Sequence, residues 1–238
     1  NIAEATTRTQ SDPYEHFASV LRAGTSAIKT VTVANETPNG SSFNVDLAWS
    51  KSRTSVANHR LFSTAVGSND YDNLRPDTTS ALDTSTTDSL TSFETDGTYD
   101  LGADSSNLVN DTGVNYVDWI FKLGGAASTN EDGSIDSSVS VNQTLGMSVG
   151  TFTSADNNAK TIGHGLGVKP LMVIVKVTST TDGWATWHTG LSSASYKVRL
   201  NDTIAQLSVG DVSWNATEPT SSVFSVKSDG ETGATGRT

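Results

Sequence analysis

The stretch Phe43-Asn-Val-Asp-Leu-Ala-Trp49 indicates the fold class most directly, because apolar and polar residues alternate along it. A period of two is typical of a β-strand with one buried face. The alternation predicts that the four odd-numbered residues, from Phe43 to Trp49, share that face.

Outward from this stretch, short apolar runs recur between turn-rich segments. The runs predict further strands at 16–21, 116–121, 147–152, 171–177, 196–200 and 223–226. Serine and threonine dominate the rest: 33 Ser and 34 Thr make up more than a quarter of the 238 residues. Because Ser, Asn, Asp and Gly favour turns and Thr tolerates strands, we predict a loop-rich, all-β protein built from two tandem antiparallel β-sandwiches of jelly-roll-like form.

The charge and the cysteine content exclude several function classes. With 15 Lys+Arg against 26 Asp+Glu the net charge is -11, so a basic face for nucleic acid is not expected, and anionic membranes should repel the chain. The sequence has no apolar run long enough to insert into a membrane. Zero cysteine excludes disulfides, thiol nucleophiles and cysteine-type zinc sites.

Similar motifs occur in the same order in both halves of the chain. The apolar run that ends in Lys51 resembles the run that ends in Lys176, and 90–93 resembles 221–224. Residues 16–24 resemble 146–152, and for this reason a strand is preferred there over a helix that would begin near Pro13.

The repeat predicts how the chain is divided. The predicted parts are an N-terminal segment at 1–12, β-module 1 at 13–122, a linker of coil composition at 123–143 and β-module 2 at 144–238. Thr238 corresponds to Asn115, so module 2 lacks a counterpart of the strand at 116–121. An unpaired edge would result, and we expect the chain to continue beyond Thr238 or, failing that, another chain to supply the strand.

Several of these motifs resemble those of structural proteins from marine tailed phages, which form tail fibres or other virion parts. The most specific block contains Thr161-Ile-Gly-His-Gly-Leu-Gly-Val-Lys-Pro170 followed by an apolar strand ending in Lys176. Other similar stretches lie at 12–17, 58–62, 90–102, 116–119, 132–149, 183–188 and 214–224.

The resemblance implies a non-enzymatic structural component of a virion, and hence an extracellular, particle-bound location. A tail-fibre or appendage module that displays host-contacting loops is the first expectation. The alternatives are a glycan- or receptor-binding domain at the appendage tip and a capsid decoration protein. Expected partners are other virion proteins and host surface polysaccharide. The chain itself is expected to form a homotrimer.

Two candidate sites follow from residue chemistry. The rings of Trp184, Trp187, Tyr196 and Trp214 offer a surface on which sugars can stack. The carboxylates of Asp96, Asp100 and Asp104, in a turn-rich stretch, are candidate ligands for a structural Ca²⁺, although the spacing of an EF-hand is not met. No other cofactor is expected.

Three more specific functional interpretations have less support in the sequence. The glycine-rich stretch 161–167 precedes Pro170 and a strand, so we expect a turn in which His164 bonds the backbone, and no phosphate-binding loop. The four histidines are too scattered to indicate a zinc site. A glycosidase with paired carboxylates ranks last, because nothing in the sequence brings two carboxyl groups together.

Overall fold

The computed structural model describes residues 12–35 and 37–238, so the expected N-terminal segment lies outside the described residues except for Asp12. The strands, in chain order, are β1 (Phe17–Ala23), β2 (Lys29–Thr32), β3 (Leu47–Ser52), β4 (Arg60–Ser63), β5 (Asn73–Leu74), β6 (Leu90–Phe93), β7 (Thr98–Leu101), β8 (Asn115–Phe121), β9 (Ser128–Asn130), β10 (Ser137–Asn142), β11 (Met147–Phe152), β12 (Lys160–Gly163), β13 (Met172–Lys176), β14 (Trp184–His188), β15 (Tyr196–Arg199), β16 (Leu207–Ser208) and β17 (Val223–Val226).

The described chain is all-β, and its strands pair antiparallel, which confirms the predicted fold class. Its helical content consists of two single 3₁₀ turns, Pro13–Glu15 and Val33–Asn35. Asp12 caps the first turn by accepting a hydrogen bond from the N–H of Tyr14 at 3.0 Å. None of the described helical segments has the length and apolar character that crossing a membrane requires.

Two sheets enclose a common core in the first half of the chain. One sheet has the order β1-β8-β3-β4-β5 and the other the order β2-β7-β6. Val20 and Ile120 contribute from the first sheet, and Tyr99 and Leu101 contribute from the second. We call residues 17–121 the first unit.

Strands of the second half form three smaller sheets, with the orders β11-β10-β9, β12-β17 and β13-β14-β15-β16. A second cluster of buried residues consists of Val175, Ala185, Trp187 and Trp214. Phe152 of β11 and Phe224 of β17 pack against it, so strands of all three sheets or their ends meet at this core. We call residues 147–238 the second unit.

Strand positions predicted from apolar runs agree closely with the structure, including β1 at the place where a helix was the alternative. The stretch 43–49 differs. Phe43 and Val45 precede β3 and lie in the core, whereas Trp49 is on the outer face of β3, because Ala48 takes the inward position within the strand. The alternation therefore breaks where the strand begins.

Residues 123–143 are not a continuous coil. They contain β9 and β10, and β10 pairs along its whole length with β11. Ser137, Ser140 and Asn142 of β10 are buried. Hydroxyl and amide groups of this kind give a turn-like composition, but here they are bonded inside the protein; Ser140 Oγ, for example, donates to the carbonyl of Gly125 at 2.6 Å.

Candidate functional site

Aromatic side chains cover part of the outer face of the five-stranded sheet. β8 lies between β1 and β3, and the strand register sets Phe17 opposite Phe121 and Trp49 opposite Trp119. Ile120, which lies between Trp119 and Phe121 on β8, points into the core. Because successive side chains point to opposite faces of a sheet, the four rings face outward, and each is half-buried.

These rings pack against one another across the strands. The centroids of Phe17 and Phe121 are 4.9 Å apart, and those of Trp49 and Trp119 are 6.1 Å apart with the rings edge to face. Such offset and edge-to-face arrangements are the preferred aromatic contacts. Together with His59 the four rings line an open depression of about 510 Å³, and we call these five residues the aromatic platform.

His59 gives the aromatic platform its polar group. The indole Nε1 of Trp49 donates to Nδ1 of His59 at 2.9 Å, so the neutral ring carries its proton on Nε2. Burial lowers the pKa of His59 and outweighs the opposing effect of Asp77. The platform at neutral pH is therefore an uncharged aromatic surface with a single imidazole at its edge, a combination that suits stacking on the apolar face of a sugar ring.

A buried ionic cluster lies inside the first unit. Asp118 on β8 accepts from Nε of Arg22 at 2.5 Å and from the phenol of Tyr99 at 2.6 Å. The hydroxyl of Ser50 on β3 also donates to this carboxylate. Burial would lower the pKa of Arg22, but the charge of Asp118 and its hydrogen bonds prevail and raise it.

A second ionic cluster lies in the second unit. Nζ of Lys197 contacts the carboxylates of both Asp229 and Glu231, and Nε of Arg199 donates to Glu231 at 2.6 Å. Lys197 is buried. Nearby, burial lowers the pKa of Lys176 to about 8 in spite of the charges of Asp182 and Glu231. Each cluster joins separate strands or turns, so its first effect is structural.

The tryptophans predicted as a sugar-stacking surface do not lie at the surface. Trp187 and Trp214 are part of the second core, and Trp184 is also buried. Only Tyr196 is half-buried. The reason is physical: each indole ring is large, so its burial removes more apolar area from water than burial of an aliphatic side chain.

Trp184 contacts the first half of the chain. Its indole Nε1 donates to the carbonyl oxygens of Arg75 at 3.1 Å and Thr78 at 3.0 Å. The N–H of Leu82 donates to the carbonyl of Thr178 at 3.0 Å close by. The residue therefore joins the two units.

The three carboxylates predicted to bind Ca²⁺ are not brought together. Asp96 accepts from the N–H and the hydroxyl of Thr98, and buried Asp104 accepts from the N–H groups of Val109 and Asn110 at 2.7 and 2.6 Å. Asp100 lies on β7. Across residues 12–35 and 37–238, no three His, Cys, Asp or Glu residues are grouped as a metal would require. Asp96 and Asp104 organise their own loops.

The glycine-rich stretch 161–167 consists of the end of β12 and the non-strand segment that follows it from His164. Gly165 and Gly167 have φ of 69° and 71°, a left-handed region that favours glycine. Nδ1 of His164 accepts from the N–H of Leu166 at 3.2 Å, and its Nε2 lies 3.3 Å from the carbonyl of Thr220. These contacts confirm the expectation that His164 bonds the backbone.

Sequence reasoning missed the aromatic platform. The alternation at 43–49 predicts that Trp49 lies on a buried face, and Trp119 stands within an apolar run that does not show which way its ring points. The available signal was the register of the two strands, since Trp49 and Trp119 stand opposite each other once β3 pairs with β8. That pairing joins residues 70 positions apart, which no local pattern reveals.

Comparison with known proteins gives a family and no activity. No curated protein and no solved structure is significantly similar to the chain. One family model, described as a domain of unknown function (DUF7483), matches residues 12–237. Since this match covers nearly the whole chain, the protein belongs to the DUF7483 family.

Proposed function

We propose that the protein is a non-enzymatic structural module of a tailed-phage particle, in a tail fibre or similar appendage whose loops meet the host surface. The sequence motifs around 161–176 support the phage assignment by resemblance. The observation that carries the structural role is the buried network at Asp118, because one carboxylate ties Arg22 of β1, Ser50 of β3 and Tyr99 of the facing sheet together. A network with every member bonded favours one rigid arrangement.

Contacts between the two units support the same role. Besides the indole of Trp184, the N–H of Asp182 donates to the carbonyl of Thr79 at 2.8 Å. Within the segment that connects the units, Nδ2 of Asn142 donates to the carbonyl of Lys122 at 2.9 Å. Units joined at several points move together, which suits a part that transmits or withstands force.

Assembly with other virion proteins, and with two further copies of the chain, belongs to this proposal. Light scattering coupled to size-exclusion chromatography measures the second part directly. A mass of about three chains is expected from the resemblance, and a monomer at all concentrations would contradict the trimer while leaving the position in the particle to be measured separately.

Immunogold electron microscopy of the phage that encodes the chain tests the function. Antibodies against the purified protein should label tail fibres or another appendage. Label over the capsid would support a decoration protein instead, and intact particles that carry no label would refute the proposal. Host polysaccharide incubated with the protein should release no reducing ends, whereas their release would point to a glycosidase.

A second candidate function is glycan binding at the aromatic platform. The specific observation is that four rings and His59 form an open, uncharged surface on the outside of the sheet. Aromatic rings on an outer face can stack against the apolar face of a sugar ring. Neutral rings would bind polysaccharide with little dependence on salt, because no ion pairs are involved.

Titration of host polysaccharide, followed by tryptophan fluorescence and calorimetry, tests this candidate. Trp119→Ala should abolish binding, and Ile28→Ala is the matched control, since Ile28 is an exposed apolar residue outside the aromatic platform. Equal loss in both variants, or no binding by the unaltered protein to any host glycan, would remove glycan binding from consideration.

A further inference from the structure

The side chain of Lys197, on β15, is buried against two carboxylates. Its Nζ contacts Oδ2 of Asp229 and lies 2.6 Å from Oε2 of Glu231. The side chains of Lys197, Asp229 and Glu231 are 3%, 14% and 5% exposed. Both acidic residues follow β17, and Asp229 is 32 positions beyond Lys197 in the chain. A primary amine is thus held against a carboxyl group of a distant segment, with little access for water.

The two carboxylates have different further partners. Oε1 of Glu231 accepts from Nε of Arg199 at 2.6 Å, so Glu231 keeps a cation beside it whatever happens to Lys197. Oδ2 of Asp229 accepts from the hydroxyl of Ser213, and its Oδ1 accepts from the backbone N–H of Glu231 at 3.1 Å. Donors fixed on both oxygens polarise a carboxyl group and stabilise negative charge that develops there. Asp229 therefore has the surroundings of an electrophile and Glu231 those of a base.

Two other ion pairs of the chain lack this combination. Arg22 and Asp118 are equally buried, but a guanidinium does not give up its proton in proteins and is no nucleophile. Nζ of Lys160 lies 2.6 Å from Oδ1 of Asp156, whose side chain is 54% exposed, so water surrounds that carboxylate. Lys197 joins an amine that can lose a proton to burial and to a second carboxylate that can accept the proton.

We propose that Nζ of Lys197 and Cγ of Asp229 condense to an amide, with Glu231 as the catalytic base, so that an isopeptide bond joins β15 to the segment after β17. The Cγ–Nζ bond forms and the Cγ–Oδ2 bond breaks. Of the three ammonium protons, one stays on the amide nitrogen and two leave with Oδ2 as water, one of them by way of Oε2 of Glu231. No atom is oxidised or reduced, so no further reactant is needed.

Proximity and burial favour this condensation. Contact between Nζ and Oδ2 places Cγ one bond farther away, and groups held in this way react as if at roughly 10⁵–10⁸ M. Burial tends to raise the pKa of Asp229, but hydrogen bonds from Lys197 and Ser213 prevail and lower it, so the starting state is an ion pair. The amide removes two charges whose desolvation is costly, and Arg199 remains as the partner of Glu231.

Mass spectrometry of the full chain tests the proposal, which does not depend on the proposed function. The unaltered protein, unfolded in denaturant, should be lighter than its sequence by one water molecule. Trypsin should release residues 177–199 joined to residues 228–237, because Lys197 is then no longer a cleavage site. Lys197→Arg should have its full mass. Lys160→Arg is the matched control, since it removes a buried lysine elsewhere, and it should keep the loss of one water.

A second reaction that releases water must be distinguished from this one. Asp229 precedes Gly230, and an aspartate before glycine can lose water by closing a succinimide with the following amide nitrogen. A succinimide leaves Lys197 cleavable by trypsin and persists in Lys197→Arg, so either result would overturn the proposal. The full mass in the unaltered protein would overturn it too. Because the joined peptide is sought in the unaltered protein, the decision does not require that any variant folds.

Glu231→Gln tests the role of the base. The amide oxygen of glutamine can still accept from Arg199, but the side chain no longer takes a proton from Lys197. In chains sampled at successive times after synthesis, the joined peptide should appear roughly 100-fold more slowly than in the unaltered protein. Equal rates would refute the assignment of Glu231 as the catalytic base.

Discussion

Arg22 lies diagonally across from Asp118 in the pairing of β1 with β8, and its Nε donates to Oδ2 of Asp118 at 2.5 Å. The same guanidinium donates to the carbonyl of Val109 at 2.7 Å and lies 4.8 Å from the ring centre of Tyr116. Both charges are buried. The pair thus connects an edge strand, a central strand and the loop before β8.

Removal of one partner of this pair should destabilise the first unit strongly. Arg22→Met leaves the carboxylate of Asp118 buried without its cation, at an expected cost of about 3–5 kcal/mol. The double variant Arg22→Met with Asp118→Leu should recover much of that loss, because no unpaired charge remains. Urea unfolding measures both. A single variant within about 1 kcal/mol of the unaltered protein would show that the pair is not held as described.

The indole hydrogen bonds of Trp184 should contribute measurably to stability. Trp184→Phe loses the donor to Arg75 and Thr78 along with ring volume. Trp214→Phe is the matched control, since the indole N–H of Trp214 is buried with no partner among the described residues. We expect Trp184→Phe to cost about 1 kcal/mol more than the control. Equal losses in denaturant unfolding would refute the bonding role of Trp184.

Stability should fall in acid partly because of Asp83. Burial tends to raise the pKa of Asp83, but hydrogen bonds from Ser85 and Arg75 prevail and lower it to about 2. The unfolded chain has an ordinary aspartate pKa of about 3.9. The carboxylate therefore stabilises the fold above about pH 4, and this contribution is lost as the pH falls to about 2.

Asp83→Asn should accordingly flatten the dependence of unfolding free energy on pH between about 4 and 2. Asp46→Asn should act above about pH 4 and in the opposite sense, since burial raises the pKa of Asp46 despite hydrogen bonds from the N–H groups of Leu123 and Gly125. A group with a raised folded pKa adds stability as the pH falls through that pKa, so its removal should make the unfolding free energy fall more steeply with acid in that range. The same dependence of unfolding free energy on pH in both variants would contradict the opposite pKa directions of Asp83 and Asp46.

Neighbouring residues of β8 should differ in their effect on stability. Ile120 is fully buried in the first core, and Ile120→Ala should cost about 2–5 kcal/mol. Trp119, one residue earlier, faces outward in the aromatic platform, so Trp119→Ala should cost less although the side chain removed is larger. Chemical unfolding of the two variants decides this, and a larger cost for Trp119→Ala would place its ring in a core.

Much of the fold could be predicted from local patterns. β11 and β17 begin and end where their apolar runs do, because turn residues flank both runs. β9 and β10 could not be predicted, since their serines, threonines and asparagines are the residues that usually form turns. Such strands form because a neighbouring strand pairs with their backbone and buried polar groups bond their side chains.

Little of the candidate site could be predicted. The outward position of Trp49 depends on a change in backbone course before β3, and the burial of Trp184 depends on carbonyl groups more than 100 positions earlier in the chain. A ring contributes equally well to a core or to a surface. Only the pairing of strands that are distant in the sequence decides whether a ring is buried or lies at the surface, and no local pattern in the sequence shows that pairing.

Hydrogen exchange at β13, compared with β3, tests most directly the strand arrangement of the described chain. β3 is paired on both sides, so amides throughout Leu47–Ser52 should be protected. In Met172–Lys176, amides that point toward β14 should be protected, whereas those that alternate with them should exchange more rapidly, because β14 is the one described strand that pairs with β13. Uniform protection of β13, equal to that of β3, would contradict this arrangement.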